Sequence, residues 1–124
     1  MATTRLGRDL SSPHTYRDDS LRTSVVTIRS EPCDLFGWNI INPNSTAVYV
    51  KFYDTTDTVT IGTTSVIKTL LIPAMSTVVF GSSTRCNESQ LVVNTSLKMA
   101  VTTGLSDSDT TAPILNVYAE IFYR

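Results

Sequence analysis

Histidine occurs once in this sequence, at His14, cysteine twice, at Cys33 and Cys86, and glycine five times, always singly, at positions 7, 37, 62, 81 and 104. These scarcities remove several chemistries. Ser-His or Cys-His nucleophilic catalysis needs a base held rigidly against the nucleophile, and the only histidine lies in a polar stretch ahead of the first clear strand pattern. Cys33 and Cys86 are too few and too far apart for a zinc or redox motif, so they read as isolated thiols. Scattered glycines build no phosphate-cradling loop. Long apolar runs are also missing: none approaches the roughly 20 residues that cross a bilayer, and Met1-Ala2-Thr3-Thr4-Arg5 lacks the apolar stretch of a secretory signal. The expectation is a soluble protein made in a cytoplasm, with no membrane partner. An excess of positive charge is absent as well. With a net charge of -1 and a pI near 5.7, the chain lacks the electrostatic footprint of a protein that neutralises many phosphates, which argues against nucleic acid as a partner.

The 124 residues suffice for one core and fall short of two ordinary domains. Ser and Thr make up about a quarter of the chain, while Ala, Leu, Glu and Lys are scarce, which favours strands and turns over helices. Residues 1–22 carry four of the seven arginines and three aspartates, without apolar periodicity. Such a segment reads either as a disordered tail or as an arm ordered against a neighbouring subunit, and Leu6, Leu10 and Tyr16 as potential anchors favour the arm. The chain thus divides into an extended N-terminal arm, 1–22, and a domain, 23–124.

From Ser24 onward short apolar runs of period two alternate with turn residues. Val26 and Ile28 open the pattern. Phe36, Trp38 and Ile40 share a face of a strand that ends at Asn42-Pro43-Asn44-Ser45, a strong turn signal. Val48, Val50 and Phe52 form the core face of the next strand, with Tyr49, Lys51 and Tyr53 on a face that is wet or in an interface. Strands are predicted over 66–72, closed by Pro73, over 75–81, around 90–93, over 96–103 with Leu97, Met99 and Val101 alternating, and over 114–123 with Leu115, Val117, Ala119, Ile121 and Tyr123 on one face. Seven or eight such strands without a crossover helix predict an all-β fold: a single antiparallel β-sandwich, jelly-roll-like, with the arm attached.

No constellation supports an enzyme, a metal or a cofactor. Asp107 and Asp109, with Asp54 and Asp57 in another loop, lack the EF-hand spacing and read as turn aspartates. Glu31, Glu88 and Glu120 are not placed as a glycosidase pair, and Glu120 reads as an outward strand residue. Asn44, Asn87 and Asn94 head Asn-x-Ser/Thr triplets, which matter only in a secretory pathway. What remains is binding. Tyr49, Tyr53 and Tyr118, opposite the core phase of their strands, are candidate interface residues, since Tyr offers apolar area with a polar tip. Aromatics so placed could also stack on sugars, which keeps a carbohydrate-binding module as a competing expectation.

Several strings resemble a family of small tailed-bacteriophage virion proteins: Phe36-Gly37-Trp38-Asn39-Ile40-Ile41-Asn42-Pro43-Asn44, Tyr49-Val50-Lys51-Phe52-Tyr53-Asp54, Ile61-Gly62-Thr63-Thr64, Leu71-Ile72-Pro73-Ala74 and Met99-Ala100-Val101-Thr102-Thr103-Gly104, with Asp107, Asp109, Thr110 and Pro113. The resemblance spans residues 36–124 and leaves out the arm. It implies a sandwich or jelly roll in the particle and no catalytic residue. The expected role is a capsid decoration or cement subunit, made in the bacterial host cytoplasm. It would bind the major capsid protein or other virion proteins and associate with itself as a homotrimer or other homo-oligomer. A tail, neck or fibre component and a host-glycan binder are the alternatives. Binding is expected through the arm and through loops 54–64 and 104–113.

Overall fold

The computed structural model describes residues 14–81 and 89–124, and the statements below concern those residues. They form nine strands and no helix: β1 (His14–Leu21), β2 (Val26–Arg29), β3 (Cys33–Asn42), β4 (Val48–Asp54), β5 (Lys68–Ile72), β6 (Ser76–Phe80), β7 (Leu91–Val93), β8 (Leu97–Thr102) and β9 (Val117–Tyr123). These make two antiparallel sheets. Sheet A has the order β1-β9-β3-β6, and sheet B the order β2-β8-β4-β5. β7 pairs with Cys33–Leu35 at the start of β3, and β6 with Trp38–Asn42 further along, so β6 and β7 are two halves of one edge lane.

One core joins the sheets. Leu21, Leu35, Trp38, Ile40, Val117, Ala119 and Ile121 from sheet A meet Val48, Val50, Phe52, Ile72, Leu97, Met99 and Val101 from sheet B. Full burial of each such side chain contributes about 1.5–3 kcal/mol against leaving it in water, which is what fixes the register of every strand that carries one.

In β3 the period-two pattern is broken by a shift of register against β9. Leu35 lies opposite Tyr123, and Gly37 opposite Phe122, so two residues of β3 advance against one of β9. This bulge reverses the alternation. Leu35 rather than Phe36 therefore joins Trp38 and Ile40 in the shared core, while Phe36 is buried elsewhere, under the Arg124 guanidinium at 4.3 Å from its ring centre. At the same point the edge lane breaks. A Cβ on Gly37 would lie 2.3 Å from the Phe80 carbonyl oxygen, and one on Gly81, whose φ is +66°, 2.7 Å from that of Phe36. The chain leaves the ladder at Gly81 and re-enters where the Gln90 N–H donates to the Leu35 carbonyl at 2.7 Å.

Four expectations are corrected. The segment 14–21 of the predicted arm is a strand: β1 pairs with β9 from His14 opposite Tyr123 to Leu21 opposite Val117, and Leu21 is buried. Its charges hid the strand because an edge strand needs few buried side chains. Residues 1–13, with Leu6 and Leu10, lie outside the described residues, as does Cys86. Tyr53, expected on an open face, is fully buried. β9 begins at Val117 rather than 114, which leaves Leu115 half exposed, and β5 begins at Lys68 rather than 66.

Loops 54–64 and 104–113 cover sheet B. Val59 packs with Tyr53 and Ala100 in a second small core, flanked by Val25, Ile61 and Val66. From the other loop the Ser106 carbonyl accepts a hydrogen bond from the fully buried Lys51 Nζ. The loops also touch one another, since a Cβ on Gly62 (φ +89°) would meet the Thr110 methyl at 2.8 Å. Asp109 holds the second loop closed, accepting from the Gly104 N–H at 3.0 Å and the Thr111 N–H at 3.2 Å.

Candidate functional site

With sheet B roofed by its own loops, the outer face of sheet A is the broad sheet surface left open. Its residues follow from the register. Opposite the core phase of β3 stand Asn39 and Ile41. Asn39 is flanked by Val79 of β6 and Glu120 of β9, and Ile41 by Thr77 and Tyr118. Arg17 of β1 continues the first of these rows beyond Glu120. Val79 is 63% exposed and Ile41 39%, so an aliphatic strip runs beside a polar centre.

The polar centre is bonded within itself. Asn39 Nδ2 donates to Glu120 Oε1 at 3.1 Å, and Arg17 Nε donates to the Tyr118 hydroxyl at 2.9 Å. The Arg17 guanidinium also lies over the Tyr118 ring, 5.4 Å from its centre. Hydrogen bonding and the partial charge of the Tyr118 hydroxyl hold the Arg17 pKa above its usual value. The consequence is a fixed positive charge beside a ring whose face is already occupied.

A second apolar feature caps the adjoining end of the two sheets. The Met75 N–H donates to the Asn44 carbonyl at 3.0 Å with Met75 in the left-handed region at φ +51°, a conformation that turns its side chain outward to 73% exposure. Ile114 and Leu115 stand exposed beside it, Leu115 held by an N–H bond to Asn44 Oδ1 at 2.7 Å.

The predicted interface residues divide. Tyr118 is on the open face. Tyr49 is half-buried on the outer side of sheet B, and Tyr53 is under the loop roof. Tyr16 packs against the core and donates to Asp18 Oδ2 at 3.1 Å; burial and the Asp18 carboxylate push its pKa up to about 12. Ile41, Val79 and Met75 escaped the sequence reading because each sits off the core phase of its strand or in a turn. The available signal was Ile40-Ile41 and Val78-Val79, apolar on both phases.

At the opposite end a groove of about 340 Å³ is lined by Pro32, Cys33, Asp34, Val92, Val93, Asn94 and Arg124. Burial pushes the Cys33 thiol up to about 11, so it is protonated at neutral pH and a poor nucleophile. Among the described residues no group of three or more His, Cys, Asp or Glu side chains converges to hold a metal. A scan of protein-family models and searches of curated proteins and of solved structures found no match to this chain.

Proposed function

We propose that this chain is a non-enzymatic structural subunit of a tailed-bacteriophage virion, a small jelly roll that sits on the assembled capsid and binds the major capsid protein through the outer face of sheet A. The observation that carries this reading is the asymmetry of the two sheets. Loops roof sheet B with Tyr53, Lys51 and Ala100 beneath them, while sheet A presents Ile41 and Val79 openly. An exposed apolar strip with a polar rim is the composition of a protein-binding surface.

The jelly-roll part of the reading is supported by the strand pairing. With β7 set aside as a continuation of the β6 lane, β1 pairs with β9, β2 with β8, β3 with β6 and β4 with β5, successive pairs falling in alternate sheets. A long hairpin folded over on itself gives this nesting, and jelly rolls recur in viral capsid and lectin domains. The sequence strings resembling virion proteins fall on β3, on β4 and the loop after it, on the end of β5, and on β8 with its following loop.

Lectin domains raise the host-glycan alternative. Sugar binding uses free aromatic faces, and here Tyr118 is covered by Arg17, Tyr53 is buried, and Trp38 is stacked under Phe80 at 5.1 Å. Exposed aliphatics favour a protein partner.

The test is co-sedimentation of the purified chain with capsid shells that lack it. Saturable binding at a fixed ratio to the major capsid protein, abolished by Ile41→Glu, is the expected result. Absence of binding by a folded wild-type chain removes the decoration role and moves the search to tail or neck components, then to a glycan array.

A further inference from the structure

The four strand lanes at the sheet edges are not equivalent. An edge strand offers unpaired backbone N–H and C=O groups to any other strand, and proteins normally protect it with charges, bulges or shortness. β1 carries Arg17, Asp18 and Asp19 and shifts register between Asp18 and Leu21. β2 is four residues long, ends in Arg29 and is also bulged. β5 begins with Lys68. β6, Ser76-Thr77-Val78-Val79-Phe80, has no charge, no proline and no register shift against β3, and three of its five residues are β-branched aliphatics or Thr of high strand propensity. Among the described residues its outer side has no strand partner.

We propose that β6 is where two copies of this chain join, by antiparallel pairing of β6 with β6 of the second copy about a two-fold axis at Val78. The occupant follows from the chemistry of the edge. Ladder groups without a strand partner among the described residues call for a strand, and an isologous contact sets each residue against a residue of the same strip, so a strip free of charge pairs with itself without like-charge repulsion. Centred on Val78, the register sets Thr77 against Val79 of the second copy and Ser76 against Phe80. All five residues pair, and Val79 and Phe80 each gain a cross-strand neighbour while the outer face of the sheet stays open. The nearest carboxylate row on the outer face of sheet A is that of Glu120 on β9. At about 4.8 Å per strand, the two copies of that row stand about 24 Å apart across the joint, well beyond the screening length of roughly 8–10 Å at physiological salt. The two A sheets then form one continuous eight-lane sheet with a single open face, a two-fold arrangement among the homotrimer or other homo-oligomers anticipated from the sequence. The inference concerns β6 alone and stands apart from the virion reading.

The test is the mass of the full chain in solution by light scattering at high-micromolar concentration, where no capsid is needed. The wild type is expected at twice the 13.6 kDa of the chain. Thr77→Lys with Val79→Lys sets lysine against lysine twice and is expected to weaken dimerisation by about tenfold or more. Thr77→Glu with Val79→Lys sets glutamate against lysine in the same register and is expected to stay dimeric, with affinity falling as salt is raised. A monomeric wild type overturns the proposal, as does a folded Lys/Lys variant that remains dimeric. Loss of the dimer in both variants overturns the Val78-centred register, and if the Lys/Lys chain does not fold, the Glu/Lys chain still decides.

Discussion

Asn42 Oδ1 accepts two hydrogen bonds from Asn44, one from its backbone N–H and one from its Nδ2, both at 2.9 Å. Around this pair three separate parts of the chain are tied. Asn42 Nδ2 donates to the carbonyls of Thr46, Ile72 and Pro73 at 3.0 to 3.2 Å, and Asn44 Nδ2 donates to that of Leu115 at 3.0 Å. The β3–β4 turn, the β5–β6 turn and the approach to β9 therefore share one buried polar knot.

Asn42→Ala should leave the Asn44 N–H and three carbonyls without this partner in a site where Asn42 is 1% exposed. At about 1–3 kcal/mol for an unsatisfied buried group, and with partial relaxation, a loss of about 3 kcal/mol is expected in urea unfolding. A loss under about 1 kcal/mol would mean that water replaces the side chain.

Asp54 is predicted to make stability depend on pH. Burial raises its pKa, but bonds from the N–H groups of Asn94, Thr95 and Ser96 and from the Thr95 hydroxyl outweigh it, and the net shift is downward. A depressed folded-state pKa stabilises the fold above the unfolded carboxylate value of about 3.9, and that contribution is lost as pH falls through the lower folded value. Asp54→Asn should therefore be less stable than wild type at pH 7, with the gap closing below about pH 4. Melting curves at both pH values check this, and a gap independent of pH contradicts it.

Trp38→Ala should cost roughly 3–5 kcal/mol, as large aromatic deletions in a core do, because Trp38 is buried between the shared core and the Phe80 ring. Chemical denaturation gives the value directly.

Gly37→Ala is expected to destabilise more than a usual surface change, since the added methyl would stand 2.3 Å from the backbone oxygen of Phe80 and the edge lane would have to move. Loss of the cooperative unfolding transition, or a drop of many degrees in melting temperature, is the expected readout.

Deletion of residues 1–22 should unfold or strongly destabilise the chain, because it removes β1 and the buried Leu21 from β9. An unchanged melting temperature would show that β1 is dispensable.

Much of the fold was legible from residue order alone. The core phases of β4, β8 and β9 were readable because Val48, Val50, Phe52, Leu97, Met99, Val101, Val117, Ala119 and Ile121 keep a strict period of two, and burial enforces that period. The exception at Leu35 and Phe36 was not readable, since a bulge is a relation between two strands far apart in sequence. Of the candidate interface residues, Tyr118 stands on the open face. Tyr53 does not, because its neighbours Val59 and Ala100 come from a loop and another strand that only the folded chain brings over it.

The sequence by itself determined that this chain folds from strands, where the core phases of β4, β8 and β9 lie and where the chain turns between them, because local propensity and side-chain period act between near neighbours. Only the tertiary structure decided which sheet face stays open. Whether a tyrosine off the core phase meets solvent depends on which loop folds over it, and among the described residues loops 54–64 and 104–113 cover sheet B while the β6 edge and the outer face of sheet A stay uncovered.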